Sequence, residues 1–308
     1  MKVRGLALIM LLLCLPSFGQ QEQPPASATP ADTAVPDLTT GADGRLSQEQ
    51  MRQLFRVVAD KDIENEKRQR DYTYVDREVE NKLDGKGQTK STEVKTYEIL
   101  EIYGAPVQRL IEKDDKPLDA KGSAKEEEKI QKIIDKRKNE SEESRRKRLE
   151  KEEKSREEDR KFVLEVADAF NFKLVGSEVL DGHDTWVLEG EPRPGYEPKQ
   201  RGAKMLSKFK GRVWIDKSEA QWVKLDVTAI DTISVGFVLA RVHKGTHAVV
   251  EMTKVNDEVW LPKHVQLHID VRLALLKNFD VDVEQAFRDY KKFRSDTKIT
   301  VVGEEKRQ

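Results

Sequence analysis

Polar and apolar positions change rhythm several times along the chain, and each change marks a boundary. Behind Lys2 and Arg4, positions 6 to 15 form an uninterrupted apolar run of ten residues. Ser17 and Gly19 then place small residues at −3 and −1 of a cut before Gln20, the pattern of a cleavable export signal over 1–19. Ten apolar residues are too few to span a bilayer, which takes about 20. Cys14 follows three leucines, where a lipidation site wants a small residue, so an acylated cysteine is not expected. Residues 20–45 are rich in Pro, Ala, Thr and Gln without an apolar period, and read as a disordered linker.

A period of 3.6 follows. Ser47 is placed to cap a helix, and Met51, Leu54, Phe55 and Val58 give it one apolar stripe, the usual mark of a helix that covers a core. From Tyr72 the period falls to two. Alternating segments are separated by turn residues at Asp84 to Gly87, Gly104 to Pro106, Asp181-Gly182, Lys217 to Glu219 and Asn256-Asp257. About ten antiparallel strands in a meander predict a mainly β fold closing into a barrel or half-barrel. In the longest segment Val265, Leu267, Ile269, Val271, Leu273 and Leu275 point one way, and Gln266, His268, Asp270 and Arg272 the other. So long a greasy row exceeds what one short helix covers, which makes it a candidate cavity lining as well as core.

Neither period holds between the two blocks of strands. Residues 125–161 carry 15 basic and 13 acidic side chains, and only Ile130, Ile133, Ile134 and Leu149 are apolar. Acid-before-base pairs four apart, such as Glu128 with Lys132 and Glu143 with Lys147, favour helix by about 0.2–0.5 kcal/mol each. With no stripe to bury, the expectation is one long solvated charged helix of about 55 Å, a spacer or a partner-binding arm. Phe162, Val163, Val166, Ala169 and Phe170 restore an amphipathic turn that can dock on the sheet. The resulting organisation is signal 1–19, linker 20–45, helix and first meander 46–112, charged insertion 113–161, and the rest of the half-barrel 162–308.

Composition narrows the function classes. Charged residues are 37% of the 308, yet Lys+Arg is 56 against Asp+Glu 57. A nucleic-acid binder would carry a basic excess, so no nucleic-acid partner is expected. Without Lys2 and Arg4 the exported chain has 54 basic and 57 acidic residues, a net charge of −3, and no cysteine. Thiol chemistry and cysteine-held metals are therefore excluded from it.

No glycine-rich phosphate loop, nucleophile elbow or His-Glu-x-x-His motif is present. Of the five histidines, His243/His247 and His264/His268 are spaced four apart. Along a strand that spacing separates His264 from His268 by roughly 13 Å, too far to share one metal ion. No catalytic residue, metal or cofactor is assigned, and the chain reads as a non-enzyme. Asn139-Glu140-Ser141 matches a glycosylation triplet, which is common by chance. Trp186, Trp214, Trp222 and Trp260 each fall in or beside a strand, as core packing or as pocket lining.

Three segments carry a resemblance. Gly211-Arg-Val-Trp-Ile-Asp216, Ala220-Gln-Trp-Val-Lys-Leu-Asp226 and Asn256-Asp-Glu-Val-Trp-Leu-Pro262, behind a helix and a Tyr-rich first strand over Leu46–Asp76, resemble the LolA-like outer-membrane lipoprotein-sorting superfamily. Its members include periplasmic lipoprotein carriers and a sigma-factor regulator. The resemblance covers roughly 46–112 and 162–300; the charged insertion departs from it. It implies an unclosed antiparallel barrel wrapped on N-terminal and central helices, with an apolar cavity. Expected partners are lipid or lipoprotein acyl chains, or an envelope protein reached through the charged helix. Val265, Leu267, Ile269, Val271, Leu273, Trp214 and Trp260 are the candidate lining, and the periplasm, with association to the outer membrane, the expected location.

The export reading is checked by intact mass. Protein recovered from the cell envelope is expected to begin at Gln20 or within a few residues of it, without an acyl group. A mass starting at acylated Cys14 would make it a membrane-anchored lipoprotein.

Overall fold

The computed structural model describes residues 36–200, 202–235, 240–273 and 277–293. The export signal and most of the linker thus lie outside the described residues. Ser47 caps helix α1 (Gln48–Gln69) through a reciprocal box: its hydroxyl accepts from the Gln50 backbone N–H, and the Gln50 side chain accepts from the Ser47 N–H. All four predicted stripe residues are buried: Met51 and Leu54 are wholly enclosed, with Phe55 and Val58 beside them.

The stripe meets one sheet of thirteen strands, antiparallel throughout. Strands β1 (Tyr72–Leu83), β2 (Thr89–Ile102), β3 (Ala105–Lys113) and β4 (Lys116–Pro117) form the first block. After two helices come β5 (Phe170–Leu180), β6 (His183–Pro192), β7 (Phe209–Asp216), β8 (Trp222–Ala229), β9 (Ile233–Val235), β10 (Ala240–Val242), β11 (His247–Val255), β12 (Val259–Leu273) and β13 (Lys277–Lys292). The order is β4-β3-β2-β1-β13-β12-β11-β8-β7-β6-β5, with β10 pairing β12 and β9. The last strand lies against the first, so both blocks of the sequence form one open sheet.

Turn chemistry sets the registers. Asp181-Gly182 and Asn256-Asp257 take the left-handed conformations of tight hairpins, and Asp216 accepts the Ser218 and Glu219 N–H groups in the β7–β8 turn. Gly211 is needed for space. A Cβ there would sit 2.3 Å from the Asp226 carbonyl oxygen and 2.8 Å from Val227 Cγ1, both on β8.

The inner face of the sheet holds the main core. Leu188, Ile215, Trp222, Val250, Trp260, Val265 and Phe287 pack there against α1, with Phe55 stacked 5.3 Å from Phe172. Part of the expected linker belongs to this core. Leu38 is buried in it, Thr39 accepts from Gln50, and Arg45 pairs with Lys173 on the β5 edge. The order expected to begin at residue 46 therefore reaches back to 36, because one leucine and an exposed strand edge supply partners that composition does not reveal.

The charged stretch corrects the expectation of one helix. It forms α2 (Ala120–Lys138) and α3 (Glu142–Ala169), largely exposed as their composition requires. Asn139 ends the first, and Ser141 caps the second by accepting from the Ser144 N–H. Lys136, Arg137 and Lys138 close α2 and Glu142 and Glu143 open α3, the charge order each helix dipole favours. The Asn-Glu-Ser triplet is thus a helix break. α3 is also docked: Arg156 pairs with Glu66, Arg160 with Asp60 and Asp168 with Arg52, all on α1. α2 covers a strand edge, its Glu126 accepting from the Leu110 N–H and Lys129 donating to the Gln108 carbonyl of β3.

Gly211→Ala is expected to destabilise by about 1–3 kcal/mol, since β7 must move off the β8 backbone. Gly85→Ala, with open space around it, serves as the neutral control. Equal urea midpoints for the two variants would contradict the close approach.

Candidate functional site

Directly opposed residues of antiparallel strands share a face, so the registers define the inner surface row by row. One row runs Leu225, Val250, Val265, Gln285, Glu78, Lys95 across β8, β11, β12, β13, β1 and β2. The next runs Val227, Ala248, Leu267, Val283, Glu80, Glu93. A third runs Ile269, Val281, Lys82. The second and third rows pass from apolar to charged where β13 meets β1; the first turns polar one strand earlier, at Gln285.

The candidate lining divides along these rows. Val265 is 7% exposed and belongs to the sealed core under α1. Leu267 is half-buried at the core's edge. Ile269 is half-buried, as are Val281 and Val283 on β13; none of the three joins a buried cluster of the described residues. Val271 packs on a second small core of Met205, Phe209, Ala229, Ile233 and Val242. The side chain of Leu273, and Leu275 altogether, lie outside the described residues. Ile269, Val281 and Val283, continuing from Leu267 at the core's edge, therefore form an apolar strip at the margin of the main core.

The two tryptophans do not join it. Trp214 lies between Val213 and Ile215, which face inward, so alternation turns it to the outer face. There its indole N–H donates to Glu178 at 2.7 Å, and Lys224 lies 5.3 Å above the ring. Trp260 is on the inner face but sealed. Its indole donates to Glu219, its ring packs 4.6 Å from His183, and the Asn65 side chain of α1 bonds both its N–H and its carbonyl at 2.8 Å.

Four of the five histidines take the outer face, each against a carboxylate: His243 with Asp270, His247 with Asp226, His268 with Asp282 at 2.8 Å, and His264 with Glu284 at 3.0 Å. His183 packs instead on Trp260, 3.2 Å from Asp216. His247 lies opposite His268, a neighbour the linear spacing did not suggest. Among the described residues no group of three or more His, Cys, Asp or Glu is arranged to hold a metal ion.

Sequence reasoning missed the charged end of the strip. Asp76 is fully buried on the inner face, opposite Phe287 and Tyr97. Gln285 Nε2 donates to Asp76 Oδ2 at 3.0 Å and to Glu78 Oε2 at 3.2 Å. Burial pushes the Asp76 carboxyl up to about 7, with the neighbouring Glu78 adding to it, and raises Glu78 itself. Glu101 on β2 is likewise pushed to about 7 by burial, against the pull of Arg70. The available signal was an alternation of Tyr74, Asp76 and Glu78 with Val75, Arg77 and Val79, in which neither face is cleanly apolar.

Comparison with known proteins yields structural likenesses only: no family model and no curated protein matches the chain. A domain of the outer membrane lipoprotein-sorting type from Vibrio parahaemolyticus is 13% identical, with 80% of this chain and 95% of that one covered at a TM-score of 0.32. A LolA superfamily protein from Nitrosomonas europaea is 10% identical over 72% and 86% of the two chains, at 0.27. A DUF1329 family protein from Desulfovibrio piger is 11% identical over 79% and 92%, also at 0.27. At these scores none of the likenesses carries an argument, and no residue's role passes across them.

The buried carboxyls give a signed pH dependence. The Asp76 carboxyl holds its proton in the fold up to about pH 7 and loses it near pH 4 when unfolded. Stability therefore falls as pH rises from 4 through 7, and Glu101 adds to the same trend. Asp76→Asn is expected to gain about 1–3 kcal/mol at pH 8 and to flatten the urea midpoint between pH 5 and 8. An unchanged slope would mean that Asp76 is solvated.

Proposed function

We propose that the protein is a non-catalytic binding protein of the cell envelope that holds a lipid acyl chain on the inner face of its sheet. The observation that carries this reading is the strip of Leu267, Ile269, Val281 and Val283, four apolar side chains side by side on two adjacent strands and only half-buried. An apolar surface that neither α1 nor α3 seals is a place where an apolar ligand gains what the core residues gain from the helix. Burying a methylene is worth about 0.8 kcal/mol, so a fourteen-carbon chain could contribute about 10 kcal/mol before ordering costs. The sequence resemblance points to the same class of ligand, and the export signal to the periplasm as the place of action.

Ile269→Asp puts a carboxylate in the strip without touching the sealed core, so the variant should fold. It is expected to weaken an environment-sensitive apolar dye at least tenfold from a micromolar-range Kd, about 1.4 kcal/mol or more. Gln266→Ala, exposed on the outer face, should bind as wild type does. If wild type binds no dye, or the two variants bind alike, the strip is not a binding surface.

A further inference from the structure

Beside the apolar strip, β1 carries a carboxylate at three successive inner positions, Asp76, Glu78 and Glu80. β2 faces them with Tyr97, Lys95 and Glu93. The lysines of this face are paired with other carboxylates, although Lys95 lies directly opposite Glu78 and acts on its charge from beyond ion-pair distance. Lys82 lies 3.4 Å from Glu80, and Lys95 lies 2.8 Å from Glu93, which also has Lys113 at 3.8 Å. Asp76 and Glu78 are left with the single amide of Gln285 between them. Among the described residues neither has an ammonium or guanidinium group at ion-pair distance.

A second observation is independent of this count of charges. Asp76 is wholly buried, yet its Oδ1 has no hydrogen-bond partner. A buried acceptor left open is uncommon in a finished core, because the group has given up water and gained nothing in return. Gln285 cannot supply the missing bond, since its amide already serves both carboxylates. The open oxygen sits one strand from Phe287 and two residues from Glu78, at the margin between the sealed core and the strip.

We propose that Asp76 and Glu78 receive the cationic head of an amphiphile whose chain lies on Leu267, Val283, Val281 and Ile269: a long-chain amine in preference to a fatty acid or a phosphate-headed lipid. The proposal rests on the acyl-chain reading above and adds the sign of the head group. Its geometry follows from the registers. Glu78 is opposite Gln285, the next inner position of β13 is Val283, and Val283 is opposite Leu267. With strands about 4.8 Å apart, a head on Glu78 sets its first carbons over that pair. An ammonium there supplies charge-assisted hydrogen bonds to carboxylates that burial alone disfavours. An anionic head would be repelled by these carboxylates wherever they are ionised, which for Asp76 means above about pH 7.

The test is calorimetric titration of the mature protein with dodecylamine, dodecanol and dodecanoate, each below its aggregation concentration. Wild type is expected to bind dodecylamine about tenfold or more tighter than dodecanoate, with dodecanol between them. In Glu78→Gln the amine's advantage over dodecanol should shrink at least threefold while dodecanol binding stays the same. Asp76→Asn, expected to fold more stably, should do likewise. Equal affinity for amine and dodecanoate in wild type, or a preference that survives both substitutions, overturns the head-group assignment while leaving chain binding intact. If none of the three ligands binds, the acyl-chain reading itself fails, and this proposal with it.

Discussion

The docking of α1 on the inner face is the contact on which the rest of the structure depends. A single sheet has no second sheet to cover it, so its apolar face must be sealed by helices. A helix with its side chains is about 10–12 Å across, and strands are about 4.8 Å apart. Two helices side by side thus shield about four or five strands. Met51, Leu54, Phe55 and Val58 are buried in the core built from β5 to β8, β11 and the first part of β12. Asn65 then locks the end of α1 to the Trp260 backbone.

What lies beyond that footprint must be polar, be covered in another way, or remain apolar and available. All three solutions occur. The outer face is polar, a field of His–carboxylate pairs and lysines. The edge of β3 is covered by α2, whose Glu126 and Lys129 satisfy backbone groups that would otherwise template another strand. The strip on β12 and β13 stays apolar and only half-buried, and the carboxylates of β1 border it. The candidate site is the remainder left by the helix footprint, which explains why it lies at the core's margin and not in a separate pocket.

The charged insertion fits the same logic. Its exposed faces repeat acid and base four apart, and pairs such as Glu143 with Lys147 form as the spacing suggests. Its covered faces use arginines that bridge elements: Arg156 and Arg160 tie α3 to α1, and Arg148 holds Glu140 across the helix break. Exposed pairs of this kind contribute little singly, so the docking of α3 is carried by its apolar end at Phe162, Val163 and Val166.

Local rules were enough for much of this. Period, caps and turn residues decided α1, the hairpins at Asp181-Gly182 and Asn256-Asp257, and the antiparallel class, because each depends on neighbours within a few positions. The inward row of β12 was legible for the same reason, alternation being a property of one strand. The pairing of β1 with β13 joins residues some two hundred positions apart, and only the assembled sheet decides it. That pairing sets Asp76 opposite Phe287, Glu78 opposite Gln285 and Glu80 opposite Val283. Alternation along β7 turns Trp214 to the outer face and so separates it from Trp260, which the linear reading had grouped in one lining. A side chain's face follows from its own strand, but its company depends on which strand lies alongside, and that is settled by the tertiary fold.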